Sequence, residues 1–141
     1  MAAQEARDQS RALPPVCVIE DDTAIRETLR LLLEDAGYQL IEATDGRSGL
    51  TILRESAERL IALIDYKLPA LDGCDLLQLI ADDDALRERH AFIFVTASPQ
   101  RAKDDCGDTL EELNAPIVPK PFHIDEVLDA VAEAAQRIVT S

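Results

Sequence analysis

The chain has little positive charge. Lys and Arg number 14 against 28 Asp and Glu, giving a formal net charge of −14. Direct binding of DNA or RNA requires a basic face for phosphate contacts, so nucleic acid is excluded as a partner class. Adhesion to an anionic membrane is excluded on the same ground. Long apolar runs are also missing, and no stretch approaches the roughly 20 residues of a membrane span. Residues 1–15 contain no apolar core of the kind that marks a secretory signal. Cysteine is scarce. Cys17, Cys74 and Cys106 form an odd set without C-x-x-C spacing, which reads as three reduced thiols in a cytoplasmic protein. Cys17 lies inside an apolar run and reads as core. The two histidines, His90 and His123, are far apart and lack a metal-ligand partner pattern, so both read as packing or surface residues. Internal repeats and low-complexity tracts are absent. What remains is a soluble acidic protein suited to cations or basic partner surfaces.

With 141 residues, 47% of them hydrophobic, the chain can bury the core of one domain. Residues 1–14 are polar and read as a flexible arm, leaving 15–141 as the domain. Within it, continuous apolar runs alternate with helical stripes. The runs are 16–20 (VCVIE), 38–44 (YQLIEAT), 60–65 (LIALID), 91–97 (AFIFVTA) and 116–120 (PIVPK). Between them, residues 23–35 carry Ile25, Leu29, Leu32, Leu33 and Ala36 on one helical face, with Gly37 as the stop. Further helices are expected from the Asp45-Gly46 turn onward, over 73–81, over 100–113 with Gly107 as a weak point, and over 124–138. "DDDALRER" (82–89) reads as a solvated loop. Five strands alternating with five helices indicate an α/β fold with a parallel sheet. The 38–44 run alternates most and reads as the strand nearest an edge.

Parallel sheets of this kind bind ligands at the carboxyl ends of their strands. Those ends carry Glu20, Asp21 and Asp22, then Asp65, then Thr96 and Ala97, then Lys120. Carboxylates brought together are costly unless a cation neutralises them. An oxygen-only set without His or Cys suits a hard ion such as Mg²⁺. A carboxylate can also attack phosphorus to give an aspartyl phosphate. A lysine ammonium and a threonine hydroxyl suit the phosphoryl oxygens. Taken singly, each of these residues is more often a turn residue, a cap or an exposed lysine. Their joint placement, each at the end of a separate strand, is what points to a phosphoacceptor site. Asp22 stands apart as the N-cap of the first helix.

These residues also form a family pattern. From about residue 15 to 139 the chain resembles the receiver domain of two-component response regulators. The resemblance rests on "VCVIEDDTAIRETL", "LIDYKLPALDG", "FVTAS" and "PKPF", in that order. It implies a doubly wound, flavodoxin-like (βα)5 fold with a parallel sheet in the order 2-1-3-4-5 and helices on both faces. In that order the acidic ends of strands 1 and 3 adjoin. It implies Asp65 as phosphoacceptor, and Glu20 and Asp21 as the acid pair holding Mg²⁺ with Asp65 and the Lys67 backbone carbonyl. Thr96 and Ala97 would serve the phosphoryl group, Thr96 as the switch hydroxyl and Lys120 as the partner lysine. Lys120–Pro121 would be a cis peptide. Asp72 and Gly73 would have a backbone role in the turn before the third helix. The aromatic expected three residues before the lysine is replaced by Ile117, which puts the usual aromatic signal in question.

The resemblance further implies a histidine kinase or histidine phosphotransfer protein as phosphodonor. The downstream target would be a protein docking on the face formed by the fourth helix, fifth strand and fifth helix. About 20 residues follow Lys120, so a stand-alone module without an output domain is expected. A fragment of a hybrid histidine kinase, or a receiver-like binding module that works without phosphorylation, would share the pattern. A haloacid-dehalogenase-type phosphatase fits worst, because Lys67 stands where that chemistry resembles D-x-D.

Overall fold

The computed structural model describes residues 13–140. Most of the N-terminal arm therefore lies outside the described residues. The apolar runs become strands β1 (Val16–Ile19), β2 (Leu40–Ala43), β3 (Ile61–Asp65), β4 (Ala91–Thr96) and β5 (Ile117–Pro119). The helices are α1 (Thr23–Asp35), α2 (Gly46–Glu55), α3 (Gly73–Ala81), α4 (Asp84–Arg89), α5 (Pro99–Glu112) and α6 (Ile124–Thr140). All strand pairs are parallel and the order is β2-β1-β3-β4-β5. The sheet order and the edge position of β2 agree with the sequence reading.

Every residue of β1, β3 and β4 is buried. This is why those runs show no polar alternation. Their side chains still alternate between faces. Cys17, Ile19, Ala62, Ile64, Phe92 and Phe94 meet α2, α3 and α5 on one side. Val16, Val18, Ile61, Leu63, Ile93 and Val95 meet α1 and α6 on the other. Each fully buried Leu, Ile or Phe contributes about 1.5–3 kcal/mol from apolar burial.

Acids start several helices. Asp22, Asp45, Asp72 and Asp83 accept the backbone N–H groups of Ile25, Ser48, Asp75 and Leu86 at 3.0, 2.7, 3.0 and 3.2 Å. Each satisfies a donor that the first helical turn leaves unpaired. Helix α1 ends with Gly37 at φ 98°. The Tyr38 N–H donates to Leu33 and the Gly37 N–H to Glu34, both at 3.0 Å, closing a Schellman turn. Ala36 is the exposed C-cap and drops out of the apolar stripe.

Three readings need correction. Residues 84–89 form a helix, capped by Asp83 and supported by the Arg87–Asp84 pair at 2.7 Å. The described residues therefore contain six helices and not five. The cysteines are not all free: Cys74 on α3 and Cys106 on α5 are joined as a disulfide with a Cα–Cα separation of 5.7 Å, and only Cys17 is free. The two are 32 residues apart in sequence, and only the side-by-side packing of α3 and α5 brings them together. Helix α5 also departs from helical geometry at Cys106 (φ −147°, ψ 32°), beside Gly107.

His90 is a packing residue with a polar task. It is buried, its Nδ1 accepts the Leu60 N–H at 2.9 Å, and its Nε2 lies 2.9 Å from the Leu53 carbonyl. Burial lowers its pKa, in keeping with a neutral ring that accepts on one nitrogen and donates on the other. His123 is exposed.

Candidate functional site

Strand register assembles the site. Ile19 pairs with Ile64, so the next residues, Glu20 and Asp65, emerge side by side at the C-terminal edge. Thr96 pairs with Pro119, and the Lys120 N–H donates to the Thr96 carbonyl at 2.8 Å. Lys120 therefore leaves the neighbouring edge next to Thr96. The Lys120–Pro121 peptide is cis. From there the Lys120 ammonium reaches both Glu20 Oε1 and Asp65 Oδ1 at 2.9 Å.

Glu20, Asp21 and Asp65 each offer a carboxylate oxygen within 4.8 Å of the others. Glu20 is 2% exposed and Asp65 7%, whereas Asp21 is open to solvent. Burial, reinforced by the Asp65 charge, raises the Glu20 pKa despite its bond to Lys120. Burial alone would depress Lys120, but its hydrogen bonds to Glu20 and Asp65 lift it above an ordinary lysine. Three acids against one ammonium leave the pocket with an excess of negative charge. Hard oxygen donors this close fit a small divalent cation, and no His or Cys competes for softer metals.

The remaining positions are also accounted for. Asp22 caps α1, and its own N–H donates to Glu20 Oε2 at 3.2 Å. Thr96 is buried, and its hydroxyl oxygen accepts the Ser98 N–H at 2.9 Å. That bond uses a lone pair, so the hydroxyl proton can serve another acceptor. Lys67 lies at the mouth of an open cleft of about 710 Å³ with Asp21, Tyr66, Asp72, Cys74 and Arg101. Ala97 is exposed and lines a small apolar cleft with Ile25, Lys120, Pro121 and Phe122. Ile117 is half-buried and belongs to a separate cleft with Lys103, Leu110, Glu133 and Arg137. Gly73 is required by proximity. A Cβ there would fall 2.5 Å from the Asp65 carbonyl and 2.8 Å from the Phe94 ring.

Sequence reasoning missed three contributors. Arg26 Nη1 donates to the Glu20 carbonyl at 2.9 Å and its Nε pairs with Glu42 at 3.2 Å. The only trace in sequence is its place one helical turn after the Asp22 cap. The Tyr66 hydroxyl donates to Asp105 on α5, linking the residue after Asp65 to a distant helix. Its ring also packs edge-to-face on Phe94 at 5.8 Å. The third is the Cys74–Cys106 link at the cleft wall. No short-range signal in the sequence marks the last two.

Comparisons with known proteins agree with this geometry. The family model for the response regulator receiver domain matches residues 16–132. The transcriptional regulatory protein PhoP of Escherichia coli is 32% identical over 116 residues, covering 80% of this chain and 48% of PhoP. The chain thus spans about half the length of that relative. Among solved structures, the receiver domain of the Francisella response regulator 1452 superposes with a TM-score of 0.75 at 25% identity, covering 88% of this chain and 98% of that one. The receiver domain of the sensor histidine kinase PA1611 from Pseudomonas aeruginosa, which has a magnesium ion coordinated in its active site cleft, gives a TM-score of 0.75 at 21% identity over 87% and 98% of the two chains. Matched over most of its length, the chain belongs to the response regulator receiver domain family, the signalling modules of two-component systems.

Proposed function

We propose that this receiver accepts a phosphoryl group on Asp65 from a phosphohistidine of a histidine kinase or histidine phosphotransfer protein. One observation carries the reading: Asp65, Glu20 and Asp21 converge at the C-terminal sheet edge, with Lys120 2.9 Å from both buried carboxylates. Glu20, Asp21 and Asp65 would hold Mg²⁺ together with the Lys67 backbone carbonyl. The magnesium ion in the PA1611 receiver supports that assignment. When bound, the cation supplies charge neutralisation for the incoming phosphoryl oxygens.

The chain's own groups do the rest. An Asp65 carboxylate oxygen forms the new O–P bond as the N–P bond of the phosphohistidine breaks, and the bonding pair returns to the imidazole nitrogen. Lys120 holds Asp65 in place and offers its ammonium to the phosphoryl oxygens. Thr96 offers its hydroxyl from the neighbouring strand end, with the Ala97 backbone beside it. The sheet backs the pocket, so one side of Asp65 is dry and its approach is confined to the cleft. Output is a protein contact in the cytoplasm. The face of α5, β5 and α6 around Ile117 is the proposed surface for the target, with an aliphatic side chain in place of a reorienting ring.

Incubation with a small phosphodonor and Mg²⁺ should add one phosphate to the wild type and none to Asp65→Asn. Equal uptake by both would refute the assignment. Unchanged Mg²⁺ titrations in both Glu20→Ala and Asp21→Ala would refute the metal pocket.

A further inference from the structure

Cys74 and Cys106 occupy a position that the phosphoacceptor chemistry does not use. Cys74 is in the first turn of α3, on the wall of the cleft that also holds Asp21 and Lys67. Cys106 sits where α5 breaks its helical geometry. It is buried, so the half-buried Cys74, on the cleft side, is the entry to the pair. Their Cα atoms are 5.7 Å apart, within the range a disulfide needs. The pair therefore ties α3 to α5 at the level of the site. A second tie, Thr109 Oγ1 to Gln78 Oε1 at 3.1 Å, lies one turn further along both helices.

Helix α5 is connected to the site from two directions. At its start, the Ser98 N–H donates to the Thr96 hydroxyl oxygen. At its middle, Asp105, the neighbour of Cys106, accepts the hydroxyl of Tyr66, which follows Asp65. Any turn of the Thr96 side chain toward a phosphoryl oxygen carries the bonded Ser98 N–H with it, a rearrangement of the segment that leads into α5. A covalent clamp at Cys106 resists that rearrangement.

We propose that Cys74 and Cys106 form a reversible redox site of this receiver, and that the cross-linked form takes up phosphoryl groups on Asp65 more slowly than the dithiol. The second half rests on the phosphoacceptor reading above. The oxidant is a low-molecular-weight disulfide entering by the cleft. The Cys74 sulfur, after losing its proton, attacks one sulfur of that disulfide and releases a thiolate, which takes the proton. The Cys106 sulfur then attacks Cys74 Sγ, losing its own proton, and the second thiol leaves. Two electrons pass to the oxidant, and two protons end on the two released thiols. A dithiol reductant reverses both steps. Cys17 takes no part, since it is buried and its thiol is pushed up to about 12.

The test uses the full chain, equilibrated with oxidised glutathione or with dithiothreitol. Non-reduced peptide mapping should show a Cys74–Cys106 link after oxidation, absent after reduction, with Cys17 a thiol in both. Phosphate uptake from a small phosphodonor with Mg²⁺ should then be slower in the oxidised form by about fivefold or more, the lower end of ordinary allosteric coupling. Cys74→Ser should remove the difference, and Cys106→Ser should do the same. Thiols that remain free, or stop at glutathione adducts, overturn the proposal. So do equal uptake rates in the linked and reduced forms, or a redox effect that survives in Cys74→Ser. No phosphate on Asp65 in any form overturns the phosphoacceptor reading and the coupling with it, while the peptide map still decides the cross-link.

Discussion

Replacing Lys120 by Met removes the ammonium that, among the described residues, pairs with two buried carboxylates, and keeps much of the side-chain volume. In the wild type Lys120 Nζ lies 2.9 Å from Glu20 Oε1 and 2.9 Å from Asp65 Oδ1. Without it, Glu20 and Asp65 face each other with oxygens within 4.8 Å. At an effective dielectric of about 20, that repulsion alone is about 3 kcal/mol. Breaking a buried ion pair from one side costs about 3–5 kcal/mol. Glu20, whose pKa burial already raises, can limit the cost by taking up a proton. The expected loss in Mg²⁺-free buffer at neutral pH is therefore about 3 kcal/mol, read from urea unfolding. The loss should shrink as the pH falls toward 5. Mg²⁺ at about 100-fold over the variant's own dissociation constant should stabilise the variant by about 2.7 kcal/mol. A change under about 0.5 kcal/mol, the range of an ordinary surface substitution, would refute the reasoning. So would a larger loss that is indifferent to both pH and Mg²⁺.

Other expectations follow from the same geometry. Burial holds the folded-state pKa of Glu20 above that of an ordinary glutamate, so between those two values the folded state binds more protons than the unfolded one. Stability should fall as pH rises through that window, and the wild type should lose stability relative to Glu20→Gln over it; a pH-independent difference in Mg²⁺-free unfolding would contradict this. Lys120, raised in the folded state, contributes stability that is complete below its ordinary value and is lost only as pH rises through the higher one. Asp22→Ala should cost about 1 kcal/mol by uncapping α1 while leaving Mg²⁺ affinity within twofold, roughly the spread a surface change produces. A large drop in affinity would make Asp22 a ligand. Gly73→Ala should destabilise by about 1–3 kcal/mol through overpacking against the Asp65 carbonyl and Phe94, and an unchanged unfolding midpoint would show that this loop yields freely.

Much of the fold was legible because its strands are short, fully apolar and separated by capped helices. Runs such as "LIALID" can be buried on both faces only in a parallel sheet with helices above and below. The acids were legible for a related reason. A charge that ends an apolar strand has nowhere to go but the sheet edge, and Glu20, Asp65 and Lys120 all meet there. Residues 82–89 were misread because three consecutive acids look solvated, whereas Asp83 uses its charge to cap a helix. The disulfide was invisible because its geometry depends on how α3 and α5 lie across the sheet, not on spacing. The Tyr66–Asp105 bond is hidden for the same reason, and so is Arg26, whose guanidinium bridges Glu20 and Glu42.

The most direct measurement locates the phosphate. The full chain is treated with a small phosphodonor and Mg²⁺, the acyl phosphate is reduced with borohydride, and the peptides are sequenced by mass spectrometry. Borohydride converts a phosphorylated aspartate to homoserine and leaves free carboxylates intact. Conversion is expected at residue 65 alone, and it should vanish when Mg²⁺ is chelated. Conversion at Glu20, Asp21 or any other acid, or no conversion with Mg²⁺ present, would contradict the assignment of Asp65 as the phosphoacceptor.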